Sequence, residues 1–418
     1  MADPAQRLAE FAAGPVAGDA ALAITDLSIC DWAACGIAGA RHGEFAAWVA
    51  SMRQGGDAPV FGGGAFDPAQ AALINGTLSH ALDYDDTHFA HIGHPSVAVL
   101  PAVFALAGRH PWQALRDAAL VGIEGSVRAG VWLGRDHYQI GYHQTATAGA
   151  FGATLAAGRL LGLSEIQMVN ALGLCATMAS GLKVQFGTMG KPLNAGLAAR
   201  TGIEAVLWAQ AGMTSSPSAM TAFAATHHGA ADMTALDGLG QDWQITSISH
   251  KFHACCHGLH AMLEALATCE LSEEVARIDV VTHPRWLTVC NVASPDTGLA
   301  CKFSYRHTAA MAVLGIDTGD IDQFSDAAAQ NVNLIAQREK VHVVADDTLS
   351  EMQTRMIVTG PKGRQEKHYD LAAPVAIDDL ARKLRRKSDT LIGDAASDKL
   401  WTAMRAQDVQ GFEAAIQG

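Results

Sequence analysis

The chain has 418 residues, of which 49% are apolar and only 17% charged, and its formal net charge is −13. That balance excludes nucleic acid and anionic membrane surfaces as natural partners, and it admits an acidic ligand only where Lys, Arg, His or a helix N-terminus gathers locally. The length exceeds what one ordinary core needs, so two domains, or one large domain with an appendage, are expected.

From about residue 5 to 265 the pattern is helical. LAITDLSICDWAACGIAGA, DPAQAALINGTLSHAL, VAVLPAVFALAG, ALRDAALVGIEGSVRAGVWLG, TATAGAFGATLAAGRLLGL and GIEAVLWAQAG each place apolar or small residues at i, i+3, i+4 spacing. Alanine and glycine dominate the inward faces, which predicts closely approaching helices. The breaks RHPW, LGLS and SSPS mark turns. Near residue 272 the character changes. ARIDVVTH and KVHVVADD alternate as short strands, and TRMIVTGPKGRQEKHYDL reads as a hairpin turning at PKG. Between them CKFSYRHTAAMAVLG is helical, and helix returns after AAPV at 372–375. The expected fold class is mainly α: a large all-helical domain from 1–271 plus 374–418, with a smaller α/β domain inserted at 272–373.

The start, MADPAQRLAEF, lacks the basic and apolar regions of a signal peptide, and no uninterrupted apolar run nears the roughly 20 residues of a membrane span. The eight cysteines are scattered and form no CxxC pair. A reduced, cytoplasmic setting is expected.

Residues 80–95 read HALDYDDTHFAHIGHP, with three acids and four histidines in sixteen positions. As a metal site, His88, His91 and His94 are poorly spaced, because i, i+3, i+6 drifts off one helical face, and Gly93 and Pro95 make that end a loop. No HExxH or recognised 2-His-1-carboxylate pattern is present. A metal-free acid–base site is the favoured reading, since Asp/His pairs tune imidazole across neutral pH. GTMGKPLNAG at 187–196 is not a phosphate loop, because Gln185 replaces the first glycine and Pro192 follows the lysine. Here Lys191 is expected to be extended before Pro192, with Pro192 in the first turn of a helix. Lysine beside free backbone N–H groups makes a carboxylate receptor. GYHQTATAGAFGA puts His143 at a helix start. KFHACCHGLHAML sets His253, His257 and His260 at spacings that one helix can present on a single side, beside two thiols. Zinc, a thiol nucleophile and an inert core are all open for that segment, the inert core being favoured for the cysteines. No iron–sulfur spacing, GxGxxG or GxSxG occurs.

Taken together, HALDYDDTHFAHIGHPSVAVLPAVFALA, GYHQTATAGAFGATLAAGRLLGLS, GKPLNAGLAARTGIEAVLWA and CKFSYRHTAAMAVL resemble the MmgE/PrpD family, in order and over most of the chain. The resemblance implies a helical domain built from both chain ends, an inserted α/β lid domain, a homodimer, and an active site between the domains that uses no metal or organic cofactor. It implies a small di- or tricarboxylate substrate attacked next to a carboxylate. A lyase is favoured, dehydrating or decarboxylating in the 2-methylcitrate or cis-aconitate manner. The alternatives are two-base epimerisation of a dicarboxylate such as iminodisuccinate, and a non-catalytic dicarboxylate-binding helical protein. By the same resemblance Asp83, His94, His143, Lys191 and His260 occupy the catalytic positions. Lys191 would hold a carboxylate, His94 and His143 would move protons, and Asp83 would orient a histidine. His257 stands where relatives often have arginine, and His307 where they have tyrosine, with Tyr305 and Arg306 as neighbouring replacements for substrate binding. The loop ending at His94 is one residue longer than in the decarboxylase.

Overall fold

A computed structural model describes residues 3–418. The protein is mainly α and divides into two compact units, one formed by 1–250 with 380–418 and the other by 251–379. The sequence pattern divides instead at 271 and 374. The segment 251–271 reads as helix, yet its helix packs on strands of the second unit, so it groups with them.

The first unit contains α1 (Pro4–Ala13), α2 (Asp19–His42), α3 (Pro68–His80), α4 (Ser96–Phe104), α5 (Trp112–Ile140), α6 (Gln144–Leu160), α7 (Glu165–Met178) and α8 (Gly190–Gln210). Their ends follow local chemistry. Asp67 accepts from Gln70 N and Pro68 opens α3, while Ser164 and Gln167 form a capping box on α7. α2 stops at Gly43, whose φ of 80° suits a left-handed C-cap. By length and composition α2 is apolar enough to cross a membrane, but 72% of its apolar window is buried inside the protein.

Trp132, Phe151, Leu155, Met168, Leu172 and Phe223 are among the large residues of a core that also holds many alanines. Small residues allow close crossings. A Cβ on Gly76 of α3 would lie 2.7 Å from Gly196 Cα of α8, and one on Gly196 only 2.2 Å from Leu73 O, so both positions require glycine. That crossing sets the C-terminal end of α3 beside the N-terminal end of α8, where the candidate site forms.

The second unit contains α9 (His260–Leu266), α10 (Tyr305–Val313), α11 (Val332–Arg338) and strands β1 (Arg277–Thr282), β2 (Val341–Ala345), β3 (Gln353–Gly360) and β4 (Gly363–Asp370). The sheet order is β2-β1-β3-β4, with β1 parallel to β2 and antiparallel to β3. β3 and β4 form the hairpin read at PKG, pairing Gly360 with Gly363. Thr354, Met356 and Val358 of β3 alternate as a buried face, as period-2 side chains on a half-covered strand should. Three helices close the chain: α12 (Ile377–Ile392), α13 (Asp394–Arg405) and α14 (Val409–Gln417).

Candidate active site

The loop after α3 is tied down before it does any chemistry. Thr87 pairs with Ser249, and His88 N donates to Gly93 O at 2.9 Å. His88 Nδ1 accepts from His91 N, while Nε2 lies 3.1 Å from the Gln244 carbonyl, so a neutral ring with its proton on Nε2 satisfies both. Burial lowers His88 to about 4 and His91 to about 3, the latter also through the neighbouring His88. These two rings are neutral supports. Asp86 accepts from Ser96 N and Oγ at the start of α4, and burial raises it to about 7. Asp83 and Ile92 hold φ of 51° and 57°. Left-handed backbone is unfavourable outside glycine, and it persists where surrounding contacts impose it.

On this frame stands a row of alternating charge. Lys191 Nζ lies 2.7 Å from Asp83 Oδ1, which is 3.3 Å from His94 Nε2. His94 Nδ1 lies 2.9 Å from Asp85 Oδ2, and Asp85 Oδ1 is 2.9 Å from His80 Nδ1. Both nitrogens of His94 therefore face carboxylates, surroundings that favour the protonated ring. Burial opposes the charge on Asp85, but His80 and His94 override it and hold its carboxyl well below the usual range. Asp83 is the half-exposed member, at 39%.

Two further groups orient the rings. Thr145 Oγ1 accepts from His94 N at 3.0 Å. Asn194 Nδ2 points at both the Leu182 carbonyl and His143 Nδ1, each at 3.3 Å. The amide orientation is assigned from Leu182, so His143 Nδ1 accepts and its proton sits on Nε2. Burial, then the neighbouring His80, Lys191 and His94, push His143 well below the ordinary histidine value. A neutral His143 with Nε2–H is a hydrogen-bond donor rather than a base. His80 lies edge-on to His94 with centroids 4.6 Å apart and near-parallel to His143 at 6.0 Å.

His80, Asp83, Asp85 and His94 offer ligand atoms within 4.8 Å of one another, a set a divalent cation fits by donor type. Sequence spacing put forward His88, His91 and His94 with the carboxylates upstream; the structure keeps His94 and two of those carboxylates and puts His80 in place of His88 and His91. In the geometry described, Lys191 and the histidines already occupy those carboxylate oxygens.

Sequence reasoning left His80 and Asp85 out of the chemistry, and the structure puts both in the cluster. It also did not single out Asn194 and Thr145, although they lie three residues beyond Lys191 and two beyond His143. Pro192 falls in the first turn of α8 as expected. Lys191 does not take the expected extended form: α8 begins at Gly190, and Lys191 N donates to Thr188 O at 3.1 Å.

In the second unit His253, His257 and His260 also gather, with centroids 5.0 Å apart for His253–His260 and 4.5 Å for His257–His260. They do not share one α-helix. Residues 257–259 form a 3₁₀ turn and only His260 lies on α9. Burial, then His257, His253 and Lys251, lower His260 well below its ordinary value. His253 Nδ1 meets Thr318 Oγ1 at 2.6 Å. Tyr305 is buried with its hydroxyl donating to Gly258 O, Arg306 Nε donates to Val341 O, and His307 is fully buried and lowered to about 4. All eight cysteines are free thiols. Burial, then Cys256 and Cys255, hold Cys290 well above the ordinary thiol value, which favours an inert thiol.

Fold and site together define a mainly α protein with an internal Lys–Asp–His cluster suited to carboxylates. Residues 6–236 match the MmgE/PrpD N-terminal domain and residues 253–408 the MmgE/PrpD C-terminal domain; the chain belongs to the MmgE/PrpD family. It is 33% identical over 266 residues to the cis-aconitate decarboxylase of Aspergillus terreus, covering 57% of this chain and 54% of that protein. It is 35% identical over 154 residues to the cis-aconitate decarboxylase of Homo sapiens, covering 35% of this chain and 32% of that protein. The chain thus spans about half, or less, of the length of the curated relatives it matches.

Proposed function

We propose that the protein is a lyase that decarboxylates a small unsaturated di- or tricarboxylate of the cis-aconitate type, without a metal. The observation that carries this reading is the His94 ring held between two carboxylates, Asp83 3.3 Å from Nε2 and Asp85 2.9 Å from Nδ1, surroundings that favour a protonated ring. Decarboxylation breaks a C–C bond, leaves its electron pair on the neighbouring unsaturated carboxylate system, and needs a proton donor to quench it. Lys191 binds a remaining carboxylate, and His143 donates a hydrogen bond from Nε2 to the developing negative charge. His94 delivers the proton to carbon and regains one through half-exposed Asp83. Dehydration and epimerisation both begin by removing a C–H proton. The histidines of this site are poorly arranged for that, since both His94 nitrogens face carboxylates that favour a protonated ring and His143 has its Nδ1 occupied. The same contacts support metal independence: a cation bound by this set would have to compete with Lys191 for Asp83 and with the protons of the two histidines. The named relatives act as decarboxylases, which supports the choice among lyases. We also propose a homodimer in solution, which sedimentation equilibrium tests.

Proton NMR in D₂O with EDTA, on cis-aconitate, 2-methylcitrate, citrate and iminodisuccinate, tests the reaction. Loss of CO₂ with one solvent deuteron entering the product carbon is expected for cis-aconitate. Deuterium entering an unreacted α-position without loss of CO₂ or water would mean an epimerase and overturn the proposal.

A further inference from the structure

Lys387 is a buried cation outside this chemistry. Lys387 on α12 is 2% exposed at its side chain and its Nζ lies 2.5 Å from Asp31 Oδ1 on α2, also 2% exposed. The same Nζ donates to the Tyr84 carbonyl at 2.6 Å and stands 4.2 Å over the Tyr84 ring. Tyr84, itself fully buried, is the residue between Asp83 and Asp85. A buried ion pair is by itself weak grounds for a stabilising role, because desolvation offsets most of its attraction. What singles this pair out is its third partner. It fixes the Tyr84–Asp85 peptide unit, one of the two between the carboxylates that bracket His94, next to the left-handed Asp83.

We propose that Lys387 is a positioning residue: anchored by Asp31, it holds the Tyr84 carbonyl so that Asp83 and Asp85 face His94 from opposite sides. The role rests on the decarboxylase reading, but its first consequence, an ordered loop, is readable without turnover. Removing Lys387 alone would leave Asp31 buried and uncompensated, so the test uses charge-neutral pairs, Asp31→Asn with Lys387→Met and Asp31→Asn with Lys387→Gln. In whichever pair melts cooperatively, amides of residues 82–93 exchange with D₂O faster than in the wild type while those of α2 stay protected. On cis-aconitate the kcat falls roughly ten- to hundredfold, as misplacement of reacting groups predicts, and KM changes little because Lys191 is untouched. Wild-type loop exchange and wild-type kcat in a folded pair overturn the proposal. Faster loop exchange in a protein whose wild type never turns over cis-aconitate leaves the brace standing and removes the decarboxylase reading instead.

Discussion

The protein gathers histidines twice, and the two groups differ in what surrounds them. Around His94 every polar reach of the ring ends on a carboxylate, and those carboxylates continue to Lys191 and His80. Around His260 the neighbouring rings are His253 and His257, and Glu264 lies 3.8 Å from His253 Nε2. Burial costs a charged ring the same kind of desolvation in both places. The first sets two carboxylates within 3.3 Å of one ring, so it is the better built to carry and hand over a proton. Histidine density marks a polar cluster, and the pairing decides its chemistry.

The largest effects should come from cutting the first group. Lys191→Ala and His94→Ala should each lower kcat/KM on cis-aconitate by roughly a hundredfold or more, the scale of a lost acid–base group. Steady-state kinetics on folded variants checks this, and near-normal turnover in both would dismantle the site assignment. His260→Asn sharpens the contrast. Its activity should exceed that of His94→Ala, and an equal loss would bring the second histidine group into the chemistry. A moderate effect is expected from Asp85→Asn, which leaves His94 one counter-charge. Its kcat should fall roughly tenfold or more, less than for His94→Ala. Acid stability comes next. His88, His91, His250 and His137 have folded values of about 4, 3, 3 and 4, below the ordinary 6.5, so the unfolded chain binds more protons between those limits. Their stabilising contribution is complete above pH 6.5 and is lost as pH falls through the folded values. Asp86, raised to about 7, contributes with the opposite sign, as do the raised Asp26, Asp117, Glu124 and Glu413, but the lowered histidines, with His143, His260 and His307 among them, outnumber these acids. Melting temperature should therefore drop steadily from pH 6.5 to 4, and a flat profile would mean the rings are not buried neutral. The smallest effect is a predicted null: exhaustive EDTA treatment leaves kcat unchanged, whereas loss restored by zinc would assign the His80–Asp83–Asp85–His94 set to a metal.

Much of the architecture was readable because its causes are local. Apolar spacing gave the helices, alternation gave β1 to β4, and Pro192 marked the start of α8. The domain division was less readable, since α9 has a helix pattern whatever it packs against. Lys191 was read as extended because Pro192 disfavours helix before it, and the packing of α8 on α3 overrode that preference. In the site, Asp83, His94, His143 and Lys191 were identified from sequence through a family resemblance. His80 was hidden because it reads as the last turn of an apolar helix. Lys387 was invisible for another reason: 303 positions separate it from Tyr84, and no pattern along the chain reports a contact of that range.

The protonation of His94 is the most direct test. With ¹⁵N-histidine labelling, the two ring resonances absent from His94→Gln should both show the protonated form at pH 7, and should change when Asp85 is replaced by Asn. A neutral His94, with one protonated and one bare nitrogen at pH 7, would contradict the general-acid assignment on which the decarboxylase reading stands.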